Sequence, residues 1–191
     1  MPHQTTAGIA RLPVIAAAAI VLGALAFAAP APQQRAEMAV PVLVKWTGAR
    51  SAIEQPRVER IADPERWVAV WKEHRGDGIE KNARNWPVWP EVDFERCMVL
   101  CIFGGRSTNT DGWNIESVAD RGADLLVRYD AMTFQTASFG GEPDHGASTS
   151  PYGIFVLPRS AKPIVMEENV QGLIGRPPVW KEKHRFPALS Q

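Results

Sequence analysis

The stretch that decides the fold is Val92–Ile115, VDFERCMVLCIFGGRSTNTDGWNI. Within it, Cys97–Phe103 (CMVLCIF) is apolar throughout and is closed by Gly104 and Gly105. An uncharged run of that length with a glycine exit predicts a strand buried on both faces rather than a helix. A polar loop, Arg106–Asp111 (RSTNTD), then leads into a second strand beginning near Trp113. Loops carried by rigid strands are where binding residues concentrate. The competing reading is a plain polar hairpin connection.

On the N-terminal side, Met38–Trp46 (MAVPVLVKW) places Val40, Val42, Val44 and Trp46 at period two, which predicts a first strand. Pro56–Ile61 (PRVERI) reads as a short edge strand. The clearest helix follows. Asp63 stands at the N-cap, Pro64 at the first helical position and Gly76 beyond the last turn. Trp67, Val70, Trp71 and His74 form one apolar stripe, which assigns both tryptophans to the core under the helix. Asp77–Glu91 is an irregular loop with two Trp-Pro steps, Trp86-Pro87 and Trp89-Pro90. Its tryptophans are expected to cover the edge of the core, the alternative being an exposed aromatic ridge.

On the C-terminal side, Trp113–Val118 and Asp124–Tyr129 form a hairpin, with a further short strand over Met132–Thr136. Ser138–Ser150 is a loop by composition. Tyr152–Leu157 (YGIFVL) is a second strand apolar on both faces, and Pro163–Met166 closes the sheet. The expected class is α+β, mostly antiparallel β, with an open barrel or sandwich-like sheet of about seven strands and one helix packed on it. The expected domain spans residues 38–167, and residues 168–191 form a tail wrapping it.

The totals narrow the function classes. The chain has 191 residues and zero formal net charge. That is enough for one domain with a sizeable core, and it lacks the clustered basic excess of a nucleic-acid-binding face. Residues 1–28 carry Arg11, no acid, an apolar Leu12–Ala28 segment and a final Ala-Phe-Ala, the pattern of a cleaved export signal. An uncleaved membrane anchor is the alternative, since the apolar segment approaches the length of a span. Residues 29–37 form a Pro/Gln/Ala linker. The expected location is periplasmic or extracellular, with membrane attachment only if the signal stays. Cys97 and Cys101, on one strand, would lie about 13 Å apart at Cα. A disulfide spans no more than about 7 Å, so both are expected to be buried thiols.

The chemistry-bearing residues are sparse. Ser148, His145 and Asp144 are neighbours in sequence, but no nucleophile-elbow motif accompanies them. Glu142, Asp144 and His145 supply metal-ligand types without the usual spacing of a metal site. An enzyme with a metal site near Asp144 and His145 therefore stays an alternative, as does a structural envelope protein. No cofactor motif is present.

From Arg57 onward the chain resembles the C-terminal domain of the protease complex subunit PrcB family. The likeness is carried by Trp67–Trp71, by Val92-Asp93-Phe94 with the strand to Phe103, and by Gly105-Arg106 with the loop into Trp113-Asn114-Ile115. It continues through Pro151-Tyr152 to Leu157-Pro158-Arg159. Where the family tends to carry a Pro-Thr-Gly-Gly-like loop, this chain has Ser107–Gly112 (STNTDG). The loop pattern is also similar to that of loop-presenting cysteine-peptidase inhibitors of β-sandwich type. The resemblance implies an exported, non-enzymatic accessory module that associates with or stabilises a secreted or envelope protease. The expected binding loop comprises Arg106, Asn109, Asp111 and Trp113, flanked by Tyr152.

Overall fold

A computed structural model describes residues 37–138, 143–173 and 175–189. The expected signal, residues 29–36 of the linker, and Glu142 lie outside the described residues. The elements in chain order are β1 (Met38–Ala39), β2 (Val44–Gly48), β3 (Arg57–Ile61), α1 (Pro64–Arg75) and β4 (Cys97–Phe103). They continue as β5 (Ser107–Thr108), β6 (Thr110–Asp120), β7 (Leu125–Thr133) and β8 (Ser148–Thr149). The last three are β9 (Tyr152–Pro158), β10 (Ile164–Asn169) and β11 (Trp180–Phe186).

Two sheets face each other, a five-stranded one in the order β1-β6-β7-β10-β11 and a four-stranded one in the order β2-β9-β4-β3. Every pairing is antiparallel except β7 with β10. The fold is α+β and sandwich-like, and neither sheet closes into a barrel.

The layers explain why β4 and β9 are apolar throughout. Met98, Leu100 and Ile102 of β4 and Phe155 and Leu157 of β9 face the other sheet, meeting Val127, Tyr129, Ile164 and Met166. Val99, Cys101, Phe103, Ile154 and Val156 point the other way, into a second core under Trp67 and Val70 of α1. Each fully buried aliphatic or aromatic side chain contributes about 1.5–3 kcal/mol, so neither face tolerates polarity. Helix α1 begins where Asp63 accepts the Arg66 N–H at 2.8 Å, and it ends at Gly76, whose φ of 50° suits glycine. Among the described residues no helix is long and apolar enough to cross a membrane.

The structure corrects several local expectations. Met38–Trp46 is not one strand. Val40 N–H donates to Val118 O at 2.9 Å in one sheet, and Leu43 N–H donates to Val156 O at 2.8 Å in the other. Pro41, which has no N–H for a ladder, sits at the crossing. Val40 and Val42 therefore pack between the sheets while Trp46 packs toward the helix. Trp67 is core as expected, but Trp71 is only half-buried. Trp86 and Trp89 do not cover the core, since they are 62% and 39% exposed. Their loop satisfies its own backbone instead: Asn82 N–H donates to Trp86 O and Val88 N–H to Glu80 O, each at 2.9 Å. The tail forms a strand, β11, along the edge of the five-stranded sheet. Both cysteines are free; Cys101 is buried and Cys97 half-buried. Burial pushes the Cys101 thiol far above its usual range, so it remains protonated and inert.

Candidate functional site

At one end of the sandwich three loops are tied together. Gly105 (φ 70°) turns the chain out of β4, and an added Cβ there would meet Pro56 N at 2.8 Å and Glu54 O at 2.9 Å, so the turn requires glycine. The next residues pair as β5 with β8, joining the Arg106 loop to the segment containing Asp144 and His145. Asn109 is the brace. Its φ of 54° places it in the left-handed region that asparagine tolerates. Its N–H donates to Ala147 O at 2.9 Å, its Oδ1 accepts the Ala147 N–H at 2.6 Å, and its carbonyl accepts the Phe134 N–H at 3.0 Å. Thr136 Oγ1 donates to Asp144 at 2.7 Å, and Gly146 N–H donates to Asp144 Oδ1 at 2.9 Å. These two bonds, the hydroxyl first, hold the Asp144 carboxyl below its usual range.

The five residues expected to bind divide. Arg106 and Asp111 are exposed, and Arg106 Nε donates to Glu54 at 2.9 Å. Asn109 is spent on the brace. Trp113 turns inward, its ring 5.6 Å from Tyr129 and packed against the inter-sheet core. Tyr152 packs on the opposite face of the four-stranded sheet, in the helix-side layer. The structure thus ties Asn109 to the segment carrying Asp144 and His145, pairs Arg106 with Glu54, leaves Asp111 exposed, and packs Trp113 and Tyr152 into different layers.

Tyr152 belongs to a different feature, an aromatic cleft beside α1. Trp46, Trp67 and Trp71 stack mutually at 6.0, 5.5 and 5.2 Å, with Trp46 edge-on to Trp71. Trp67 lies fully buried beneath. His74 continues the row, 5.5 Å from Trp71 and 4.2 Å from Tyr152. Ser51 Oγ accepts the Ile53 N–H at 3.0 Å and shares a hydrogen bond with His74 Nδ1, also at 3.0 Å. Burial first, and the neighbouring Arg75 second, lower the His74 pKa from 6.5 to about 4. This Ser–His contact is buried among rings and fixes the layer rather than activating a nucleophile. A cleft of about 380 Å³ opens above it, lined by Trp46, Trp71, Trp89, Tyr152, Arg75 and Glu80, with Val88 and Pro90 at its side.

Sequence reasoning missed this cleft. The available signals were the seven tryptophans and the two Trp-Pro steps. Its walls come from β2, α1, the 79–90 loop and β9, four segments that no single periodicity joins. Among the described residues no group of three His, Cys, Asp or Glu side chains could hold a metal ion. Both Asp144 oxygens are already engaged, and Ser148 sits in the β5–β8 pairing. No family model matches the chain, and no curated protein or solved structure matches it.

Proposed function

We propose that the chain is an exported, non-enzymatic protein-binding module that engages its partner through the loop end of the sandwich. The observation that supports this reading is the bracing of residues 106–112, 134–136 and 144–149 through Asn109 and Asp144, with Arg106, Asp111 and His145 left exposed. A surface fixed before contact loses less conformational entropy on binding. Exposed charges of both signs on such a surface favour a partner of complementary charge pattern. The partner class, a secreted or envelope protease, is the one that the resemblance to the PrcB C-terminal domain implies.

The test begins with tagged chain lacking residues 1–28, used to co-purify partners from an extract of the cells that make it, followed by measured affinity for the recovered protein. Arg106→Glu with Asp111→Lys should weaken that affinity at least tenfold while leaving the chain folded, as thermal melting verifies. Equal affinity of the double variant and the wild type would reject the loop end as the contact surface.

A further inference from the structure

We propose that the cleft between α1, the 79–90 loop, β2 and the start of β9 is a saccharide site, suited to a gluco-configured oligosaccharide. This site is distinct from the loop end and goes beyond the protein-binding reading.

The first argument is its construction. Large aromatic side chains left partly uncovered in a concavity mark binding sites more often than packing accidents. Here each ring is held from outside the cleft. Trp46 and Trp71 rest on the buried Trp67. Tyr152 is backed by His74 and lies over Gly48, where an added Cβ would stand 3.0 Å from its ring. Trp89 has Lys72 Nζ 5.1 Å from its ring centroid, and Lys72 does not line the cleft. The loop is anchored by the Trp67 Nε1–H, which donates to Pro90 O at 2.8 Å. Rings immobilised in this way offer apolar area with little left to order on binding.

The second argument is charge. The lining holds one guanidinium, Arg75, and one carboxylate, Glu80. A quaternary ammonium would meet Arg75 and an anion would meet Glu80, so neither charged class is favoured. A neutral polyol uses both groups. Arg75 Nη2 donates to Gly78 O at 3.1 Å, which leaves other guanidinium donors for hydroxyls, and Glu80 offers acceptors. A ligand with an apolar face and a hydroxylated rim matches tryptophan walls with a polar pair beside them. Gluco-configured pyranoses have that form, because their equatorial hydroxyls leave the axial C–H groups free to stack. The volume lies in the range of small-ligand sites, about 300–1,000 Å³.

The experiment is a titration of the intact chain with cellotriose and with triacetylchitotriose, followed by tryptophan fluorescence and by calorimetry. At least one should give a saturable signal, with a galacto-configured trisaccharide at least tenfold weaker. Trp89→Ala and Glu80→Gln alter exposed positions, and thermal melting verifies their folding. Each should weaken binding roughly tenfold while leaving the affinity of the loop end for its protein partner intact. Absence of saturation with both sugars overturns the proposal, as does undiminished binding by folded Trp89→Ala. Saturation by decaproline in place of the sugars would also overturn it and assign the cleft to an extended proline-rich segment.

Discussion

The loop end and the aromatic cleft are rigid for opposite reasons. At the loop end, segments distant in sequence are fastened by hydrogen bonds that Asn109 and Asp144 side chains accept, close to water. In the cleft, Trp46, Trp71 and Tyr152 are fastened by contact with buried rings. Hydrogen bonds near solvent contribute about 0.5–1.5 kcal/mol each, whereas burying a tryptophan contributes several. The first surface should therefore tolerate substitution and lose order locally. The second is continuous with the core and should fail globally.

The largest effect is expected at Trp67, fully buried and hydrogen-bonded to Pro90 O. Trp67→Ala should cost about 3–5 kcal/mol in chemical denaturation and should abolish the cleft. A loss below about 1 kcal/mol would mean that the rings of the cleft are not supported from beneath.

A second contrast is pH. The folded chain holds His74 neutral down to about pH 4, while the unfolded chain protonates it near 6.5. Between those values the unfolded state binds the extra proton, so stability falls as pH drops through that window, by about 3 kcal/mol across the whole of it. His74→Leu should flatten the dependence there. Asp144 responds in the same direction but in a lower window: its carboxyl is held low, so its stabilisation is present above the ordinary carboxylate range and lost under stronger acid. A profile unchanged by His74→Leu would contradict the neutral, ring-packed histidine.

Smaller effects belong to the loop end. Asn109→Ala removes the side-chain brace and puts alanine at φ 54°, so a loss of about 1–2 kcal/mol is expected, with faster amide exchange at Ala147. Asn109→Gly should lose less, because glycine accepts the backbone. Arg106→Ala breaks an ion pair with Glu54 whose partners are 79% and 53% exposed, so stability should change by less than about 1 kcal/mol.

What the sequence revealed follows from where the information lies. Helix α1 was legible because Asp63, Pro64 and Gly76 encode its ends locally. Strands β4 and β9 were legible because burial on two faces leaves an uninterrupted apolar run. The split of Met38–Trp46 was not, because period two is satisfied whether or not the chain changes sheets at Pro41. The parallel pairing of β7 with β10 joins strands separated by a long connection, which no local signal announces. The loop end was half legible: Arg106 and Asp111 read correctly as exposed, but β5 and β8 are too short to show a period. Trp113 looked like part of the loop, yet its bulged strand turns it toward Tyr129.

The most direct test is a crossed binding experiment on the co-purified partner, using Arg106→Glu/Asp111→Lys and Trp89→Ala side by side. If the loop end is the protein-binding surface, the first variant loses the partner at least tenfold and the second binds like the wild type. If Trp89→Ala loses the partner while the loop variant retains it, the assignment of the protein contact to the loop end is wrong.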